Sequence, residues 1–288
     1  MLNPVLSTTE KLETLPSLRE TIESSGLWAK SSLGQNFLLD LNITRKIVRV
    51  AGDLTGATVI EIGPGPGGLT RAILESSAKH VISIEKDSRA LTALAPLQSL
   101  FLDRLEIYLK DALQTNVSIM GSSPRLIIAN LPYNIATILL IQWLKQISQF
   151  SQLILMFQRE VAERIIATPN TKNYGRLSVM TQWLCHVEHV MTLPPKVFFP
   201  SPKVHSSVIR LIPRKCPLFN VSWEGLESIL RLTFSHRRKM LRSGLKSLGI
   251  VGENILKEAH IKSTLRPENL TLEDFGRLTK AYEKTKIS

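Results

Sequence analysis

Cysteine is nearly missing from this chain: Cys185 and Cys216 are the only two among 288 residues. Two thiols make no disulfide framework, so a cross-linked secreted scaffold is excluded and a reduced cytoplasm is expected. Long apolar runs are missing as well. None approaches the roughly 20 residues that a membrane-spanning helix needs, and no membrane partner is expected. The first residues carry Glu10, Lys11 and Glu13 around no apolar centre, so no secretory leader is expected. Internal repeats and low-complexity tracts are not found. Acidic residues are scarce: 24 Asp and Glu face 36 Lys and Arg, a net charge of +12. A deficit of that size points to a polyanionic partner, nucleic acid before an anionic membrane surface.

The positive charge is uneven. From Arg214 onward, 15 basic residues face 8 acidic ones, while the preceding 213 residues carry 21 against 16. With 43% hydrophobic residues, the chain can bury one large core and a smaller satellite. Residues 1–30 read as a polar N-terminal arm with one short helix in LPSLRETIESSGL. Five β-rich runs follow: TVIEI (58–62), HVISIE (80–85), LEIYL (105–109), RLIIAN (125–130) and QLILMF (152–157). Helical periodicity fills 68–78, 87–98, 135–148 and 158–168. Apolar strands separated by helices predict an α/β fold with a parallel sheet covered on both faces. SVIRLIP (207–213) alternates and is expected to add an edge hairpin. The proline-rich 193–204 is expected as a loop. After Pro213 the strands stop, and helices are expected over 222–234, 235–248 and 271–284, the last with a Thr271/Asp274 capping box. The expected division is therefore an arm (1–30), an α/β domain (31–213) and a small all-helical domain (214–288).

Between the first strand and its helix stands GPGPGG, with Gly63, Gly65, Gly67 and Gly68. Such glycines let backbone pass close to a ligand, and the helix start offers unpaired N–H groups. Glu85 closes the next strand 22 residues after Gly63, where a carboxylate can accept from both ribose hydroxyls of an adenosine. Asp111 and Ala112 follow the third strand. Asp111 can accept from an adenine amino group or serve as a helix cap. The loop alone suits NAD and S-adenosylmethionine equally.

Asn130-Leu131-Pro132-Tyr133 decides between them. The exocyclic amine of adenine is a weak nucleophile because its lone pair is delocalised into the ring. Two acceptors aimed at its N–H bonds would hold it in line with a methyl donor and help localise that pair. The Asn130 side-chain oxygen and the Leu131 carbonyl are the candidates. Pro132 fixes the backbone, and Tyr133 offers a face on which a base can stack. A hydride-transfer enzyme has no use for this set, so S-adenosylmethionine is the expected cofactor, leaving as S-adenosylhomocysteine.

Further blocks stand in order with these: GQNFLLD (34–40), EIGPGPGGLT (61–70), IEKD (84–87), KDAL (110–113), NLPYN (130–134), QREVAERI (158–165), YGRLSV (174–179), FFPSPKVHSSVIRL (198–211) and FSHRRKML (234–241). Together they resemble the ribosomal RNA adenine dimethyltransferase family, in its bacterial small-subunit branch, over about residues 20–280. The resemblance implies a class I, Rossmann-like methyltransferase domain followed by a helical domain. It implies that two adjacent adenosines in a hairpin loop near the 3′ end of small-subunit ribosomal RNA are dimethylated at N6. By motif, Asn36, Leu38, Gly63, Glu85, Asp111 and Asn130 would contact the cofactor. Asn130 and Tyr133 would face the target base, with Phe198 or Phe199 on its other side. His205 stands where the family usually has a small acidic residue, and no role is assigned to it.

The run SHRRKMLRSGLKSLG (235–249) puts Leu241, Leu245 and Leu248 on one helical face. Arg237, Arg238, Lys239, Arg242 and Lys246 are then expected to meet RNA phosphates. Cys185, His186 and His189 suggest a metal, but no second cluster completes a site and none is expected. A monomer acting on the immature small ribosomal subunit is the expected assembly. The alternatives are a large-subunit RNA methyltransferase and a non-enzymatic RNA-binding assembly factor. Damage to the glycine loop or to Asn130 would favour the latter, and both are intact.

Overall fold

The computed structural model describes residues 6–287. In chain order the strands are β1 (Phe37–Leu38), β2 (Thr58–Ile62), β3 (His80–Glu85), β4 (Leu105–Leu109), β5 (Arg125–Asn130), β6 (Gln152–Gln158), β7 (Cys185–Leu193), β8 (Phe198–Phe199) and β9 (Ser206–Pro213). The helices are α1 (Thr8–Glu13), α2 (Leu18–Ser25), α3 (Leu41–Arg49), α4 (Gly68–Glu75), α5 (Arg89–Leu100), α6 (Tyr133–Leu144), α7 (Arg159–Ile166), α8 (Arg176–Leu184), α9 (Trp223–Phe234), α10 (Leu241–Gly244), α11 (Ile250–Glu258) and α12 (Leu272–Ile287). Two compact units emerge. The first holds the chain up to residue 159 together with 188–212, and the second holds 160–187 together with 213 onward.

In the first unit, β2, β3, β5 and β6 are apolar almost throughout and buried along nearly their whole length. Strands of that kind belong inside a sheet with both faces covered. They run in the order β4-β3-β2-β5-β6-β9-β7, and the first five are parallel. The path moves outward from β2 to β4, then returns to β5 on the other side of β2. That reversal opens a crevice beyond the strand ends at β2 and β5. The stretch expected as an edge hairpin forms β9, but it lies inside the sheet. It runs antiparallel to β6, and β7 takes the edge. Pro213 sits at the last position of β9, where its missing N–H costs least.

Of the segment expected as a polar arm with one helix, residues 1–5 lie outside the described residues, and the remainder holds two helices. It forms α1 and α2, each opened by a capping box, Ser7 with Glu10 and Ser17 with Glu20. Leu12, Leu18, Ile22 and Leu27 are buried, with α1 packed on α4 and α2 on α5. Burying each such side chain stabilises by roughly 1.5–3 kcal/mol, which holds the segment down. The proline-rich 193–204 also contains structure: β8 pairs with β1, Phe37 opposite Phe199 and Leu38 opposite Phe198.

The second unit is built from α8, α9, α11 and α12 around buried Tyr174, Trp183 and Phe275. The Trp183 and Phe219 rings stack at 5.7 Å, and Phe234 stacks on Phe275 at 5.6 Å. Gly276 makes room for this: a Cβ there would come within 2.6 Å of the Phe219 ring. The helix expected over 235–248 does not form as one piece. After Phe234 the chain turns through residues 235–240 before the short α10. The first N–H groups of α10, from Leu241 and Arg242, donate to the carbonyls of Leu265 and Ser263 at 2.8 and 3.2 Å. Gly244 then lies so close to α9 that a Cβ would sit 3.0 Å from the Leu232 carbonyl oxygen. A leucine repeat alone does not report such a fold-back, because Leu241 and Leu245 are buried either way.

Candidate active site

The crevice holds a cavity of about 150 Å³ at the ends of the parallel strands. After β2 the chain passes Gly63, Gly65 and Gly67 with φ of +71°, +53° and +90°. A Cβ at Gly65 would stand 2.9 Å from the Phe37 ring, and one at Gly68 would stand 2.6 Å from the Leu38 carbonyl oxygen. The loop is thus pressed against β1 at Gly65 and Gly68, which leave no space for a side chain. Glu85, at the end of β3, is buried. Its Oε1 accepts from the backbone N–H of Lys86 and Asp87 at 2.7 and 2.8 Å, and its Oε2 from Gly65 N–H at 3.3 Å. Burial is the largest influence on it and pushes its carboxyl above the usual range. Asp87 is held down at about 2, chiefly by the Arg89 guanidinium, and also accepts from Gln35 at 3.0 Å.

Of the two roles open to Asp111, the structure shows the cap. Its Oδ1 caps the turn after β4 by accepting from Leu113 N–H at 2.9 Å, and its Oδ2 accepts from Lys86 Nζ at 2.8 Å. The lysine bond holds its carboxyl below the ordinary value. Ala112 lies beside it on the cavity wall.

Asn130 ends β5 on the opposite wall. Its Nδ2 donates to the Asn36 carbonyl at 3.0 Å. That bond orients the amide: with its NH2 engaged, the oxygen is left as an acceptor. Among the described residues, neither Asn130 Oδ1 nor the Leu131 carbonyl receives a hydrogen bond. Pro132 caps α6, its carbonyl taking the N–H groups of Ile135 and Ala136. The Tyr133 hydroxyl bonds Ser206, and burial raises its pKa. Asn36, Gly63, Gly65, Glu85, Asp111 and Asn130 all line the cavity, as do Leu131, Pro132 and Tyr133.

Three expected contacts fall elsewhere. Leu38 is buried in the core and meets the loop through its carbonyl at Gly68, so it does not line the cavity. Phe198 and Phe199 do not line it either. Adjacent strand residues face opposite ways: Phe198 is buried in the core, while Phe199 is exposed and meets Trp28 edge-on at 6.5 Å. One residue was not anticipated. Glu61, in the middle of β2, is 1% exposed and its carboxyl is raised to about 7 by burial. Its Oε2 accepts from Thr70 and Ser83 hydroxyls at 2.7 and 3.0 Å, and its Oε1 has no partner. A glutamate inside the run TVIEI was the available signal.

The second unit has its own basic surface. A wide concavity of about 800 Å³ is lined by Lys172, His236, Arg238, Lys239 and Arg266, with Arg237 and Glu268 at its wall. Arg237 is committed inward: it pairs with Glu268 at 3.2 Å and donates to the Thr171 carbonyl at 2.9 Å. Arg242 and Lys246, expected alongside, are exposed but do not line it. Lys172 and Arg266 join it from distant sequence positions that no local pattern links. The Cys185 segment has no metal-like convergence. Burial pushes the Cys185 thiol up to about 12, His186 meets Arg214 at 3.2 Å, and His189 meets Thr192 at 3.1 Å.

Comparison with known proteins gives the family. The chain is 50% identical over 269 residues to "Ribosomal RNA small subunit methyltransferase A" of Rhodospirillum rubrum, covering 93% of each chain. Its fold is similar to a dimethyladenosine transferase from Plasmodium falciparum, with TM-score 0.76, 28% identity, and coverage of 86% of this chain and 97% of the other. It is also similar to the 23S rRNA methyltransferase ErmE, with TM-score 0.65, 27% identity, and coverage of 86% and 100%. The profile described as ribosomal RNA adenine dimethylase matches residues 26–284, and the chain belongs to that family.

Proposed function

We propose that the chain transfers methyl groups from S-adenosylmethionine to N6 of two adjacent adenosines in a hairpin loop near the 3′ end of small-subunit ribosomal RNA. The products are dimethyladenosines and S-adenosylhomocysteine. The residues present fit the cofactor. The loop leaves open space at Gly63, where a Cβ would meet nothing within 4 Å, and Gly63 lines the same cavity as the carboxylates of Glu85 and Asp111. Glu85 would hold the ribose, Asp111 and Ala112 the adenine edge, and Asn36 the cavity floor. When bound, the cofactor supplies an electrophilic sulfonium methyl.

Orientation of the Asn130 amide is the observation that carries the reading. Asn36 occupies its NH2, so Oδ1 accepts one N–H of the target amine, and the Leu131 carbonyl accepts the other. The amine is thereby positioned with its lone pair toward the methyl. Positioning of this kind supplies most of the acceleration when no charged base is needed. Tyr133, fixed through Ser206, offers its ring to the base. The nucleotide must be turned out of any stack to reach that depth. Arg238, Lys239, Lys172 and Arg266 supply the phosphate contacts in the second unit. The substrate in this reading is the immature small subunit, acted on by a monomer in the cytoplasm.

Incubating the protein with labelled cofactor and unmethylated small subunits tests the assignment. Label on two neighbouring adenosines of the 3′-terminal hairpin is expected. Label only on large-subunit RNA would move the substrate, and binding without any label would leave an assembly factor.

A further inference from the structure

Behind the glycine loop lies a charge with nothing to balance it. Arg71, on α4, is 6% exposed. Its Nη2 has one long hydrogen bond, 3.5 Å to Thr21 Oγ1, and its Nε has no partner. Glu75, one turn on along α4, is engaged elsewhere, with Arg45. No carboxylate pairs with Arg71 among the described residues. A guanidinium cannot shed its proton to relieve this, and burying an unpaired cation costs far more than one such contact returns.

Arg71 lines a cavity of about 80 Å³. Thr21, Ser24 and Ser25 of α2, Pro66 of the glycine loop and Thr92 of α5 form its walls. The space is several times the roughly 10–15 Å³ that one water needs. Ser24 and Thr92 are exposed and form an open mouth. The Ser24 hydroxyl is only loosely engaged, at 3.4 Å from the Thr21 carbonyl, so it can turn inward as a donor. We propose that this cavity binds a small oxyanion of the phosphate class, held by the Arg71 guanidinium and the Ser24 hydroxyl. Water would satisfy the N–H groups but not the charge. Two oxygens of an oxyanion match the guanidinium fork. The bound anion ties α2 to α4 and braces Pro66, so the amino-terminal helices are fastened to the back of the glycine loop. The site is separate from the cavity beyond the strand ends, and the proposal does not depend on the reaction assigned there.

The anion comes either as a free ion or as an RNA phosphodiester, and the test separates them. The full chain is melted in gluconate buffer, whose anion is too bulky for the cavity, at constant ionic strength. Inorganic phosphate is added in one arm and a trinucleotide in the other. A saturable rise in Tm, about 3–6 °C at saturation, is expected. Response to phosphate alone assigns the free ion, and response to the trinucleotide alone assigns the phosphodiester. Arg71→Met should fold and lose the response. Ser24→Glu, which brings a carboxylate to the mouth, should raise Tm without added anion and abolish the response, and it carries the test if Arg71→Met fails to fold. An equal saturable rise in both variants would overturn the proposal. So would a flat wild-type response with water alone beside Arg71 in crystals grown from phosphate.

Discussion

The cavity at the strand ends and the basic concavity of the second unit are built by different means. In the cavity the main polar groups are held by backbone: Glu85 by three N–H groups, Asn130 by the Asn36 carbonyl, the loop by its glycines. In the concavity, Arg238, Lys239, Lys172 and Arg266 are exposed on long side chains; Arg237 is anchored by Glu268 and Thr171, and Arg266 reaches Glu268 only at 4.0 Å. The first region depends on geometry and the second on charge. One altered atom should disable the first, whereas the second should lose its function in increments.

The largest break is expected at Asn130. Asn130→Ala removes one of two acceptors for the amine, and transfer should fall by about a hundredfold or more while calorimetric binding of S-adenosylmethionine persists. Full activity in this variant would refute the acceptor role. Next comes the pair of rings that the cavity excludes. Phe198→Ala should cost about 3–5 kcal/mol of unfolding free energy, because it empties a core position. Phe199→Ala should cost under about 1 kcal/mol. Denaturant unfolding of both variants checks the assignment, and equal costs would contradict the opposite facing of the two rings.

How far the sequence reaches follows the same division. Gly63, Glu85, Asp111 and Asn130 were legible because each terminates or follows a strand whose apolar run is unmistakable, and parallel topology brings those ends together. Phe198 and Phe199 were not separable, because two identical rings side by side give no hint of which faces the core until β8 is paired with β1. The packing of α1 and α2 was hidden for a related reason: Leu12, Leu18 and Ile22 are too few among polar residues to announce a buried face. The basic residues were visible as charge but misplaced as structure. Leu241, Leu245 and Leu248 have helical spacing, yet the chain turns at 235–240 and the N–H groups that follow find the 263 and 265 carbonyls. Lys172 and Arg266 could not be linked to that turn by any local rule.

Glu61 gives a prediction in pH. Its carboxyl titrates near 7 when folded, against the ordinary 4.5 of a solvated glutamate in the unfolded chain. Below pH 4.5 both states hold the proton and the folded state loses nothing. Between 4.5 and 7 the unfolded chain releases its proton first, so stability falls as pH rises and the loss is complete above about 7. Glu61→Gln keeps acceptors for Thr70 and Ser83 without the charge. It should match wild type at about pH 4.5 and exceed it at about pH 8 by an amount on the order of 2–3 kcal/mol. Parallel denaturation curves at the two pH values would show no difference if Glu61 were ordinary. Smaller again is Gly65→Ala, where a Cβ must meet the Phe37 ring and adopt a positive φ. Such strain is worth about 1–2 kcal/mol, so cofactor affinity should drop roughly tenfold in a calorimetric titration.

The smallest effects belong to the concavity, and there the two neighbouring arginines should part company. Arg238 is exposed and free to meet a phosphate, so Arg238→Ala should weaken subunit binding across all sequences. It should also lower the slope of log affinity against log salt by about 1. Arg237 spends its charge on Glu268 and its N–H on Thr171. Arg237→Ala should therefore leave the salt slope nearly unchanged and lower the unfolding midpoint instead, because Glu268 is left without its main partner. Exposed ion pairs are worth little, but this one is half-buried and carries a second bond to backbone, which places its cost above the usual surface value of up to about 1 kcal/mol. If both variants changed the salt slope equally, Arg237 would be a phosphate contact like its neighbour, and the anchoring seen in the structure would yield when RNA binds.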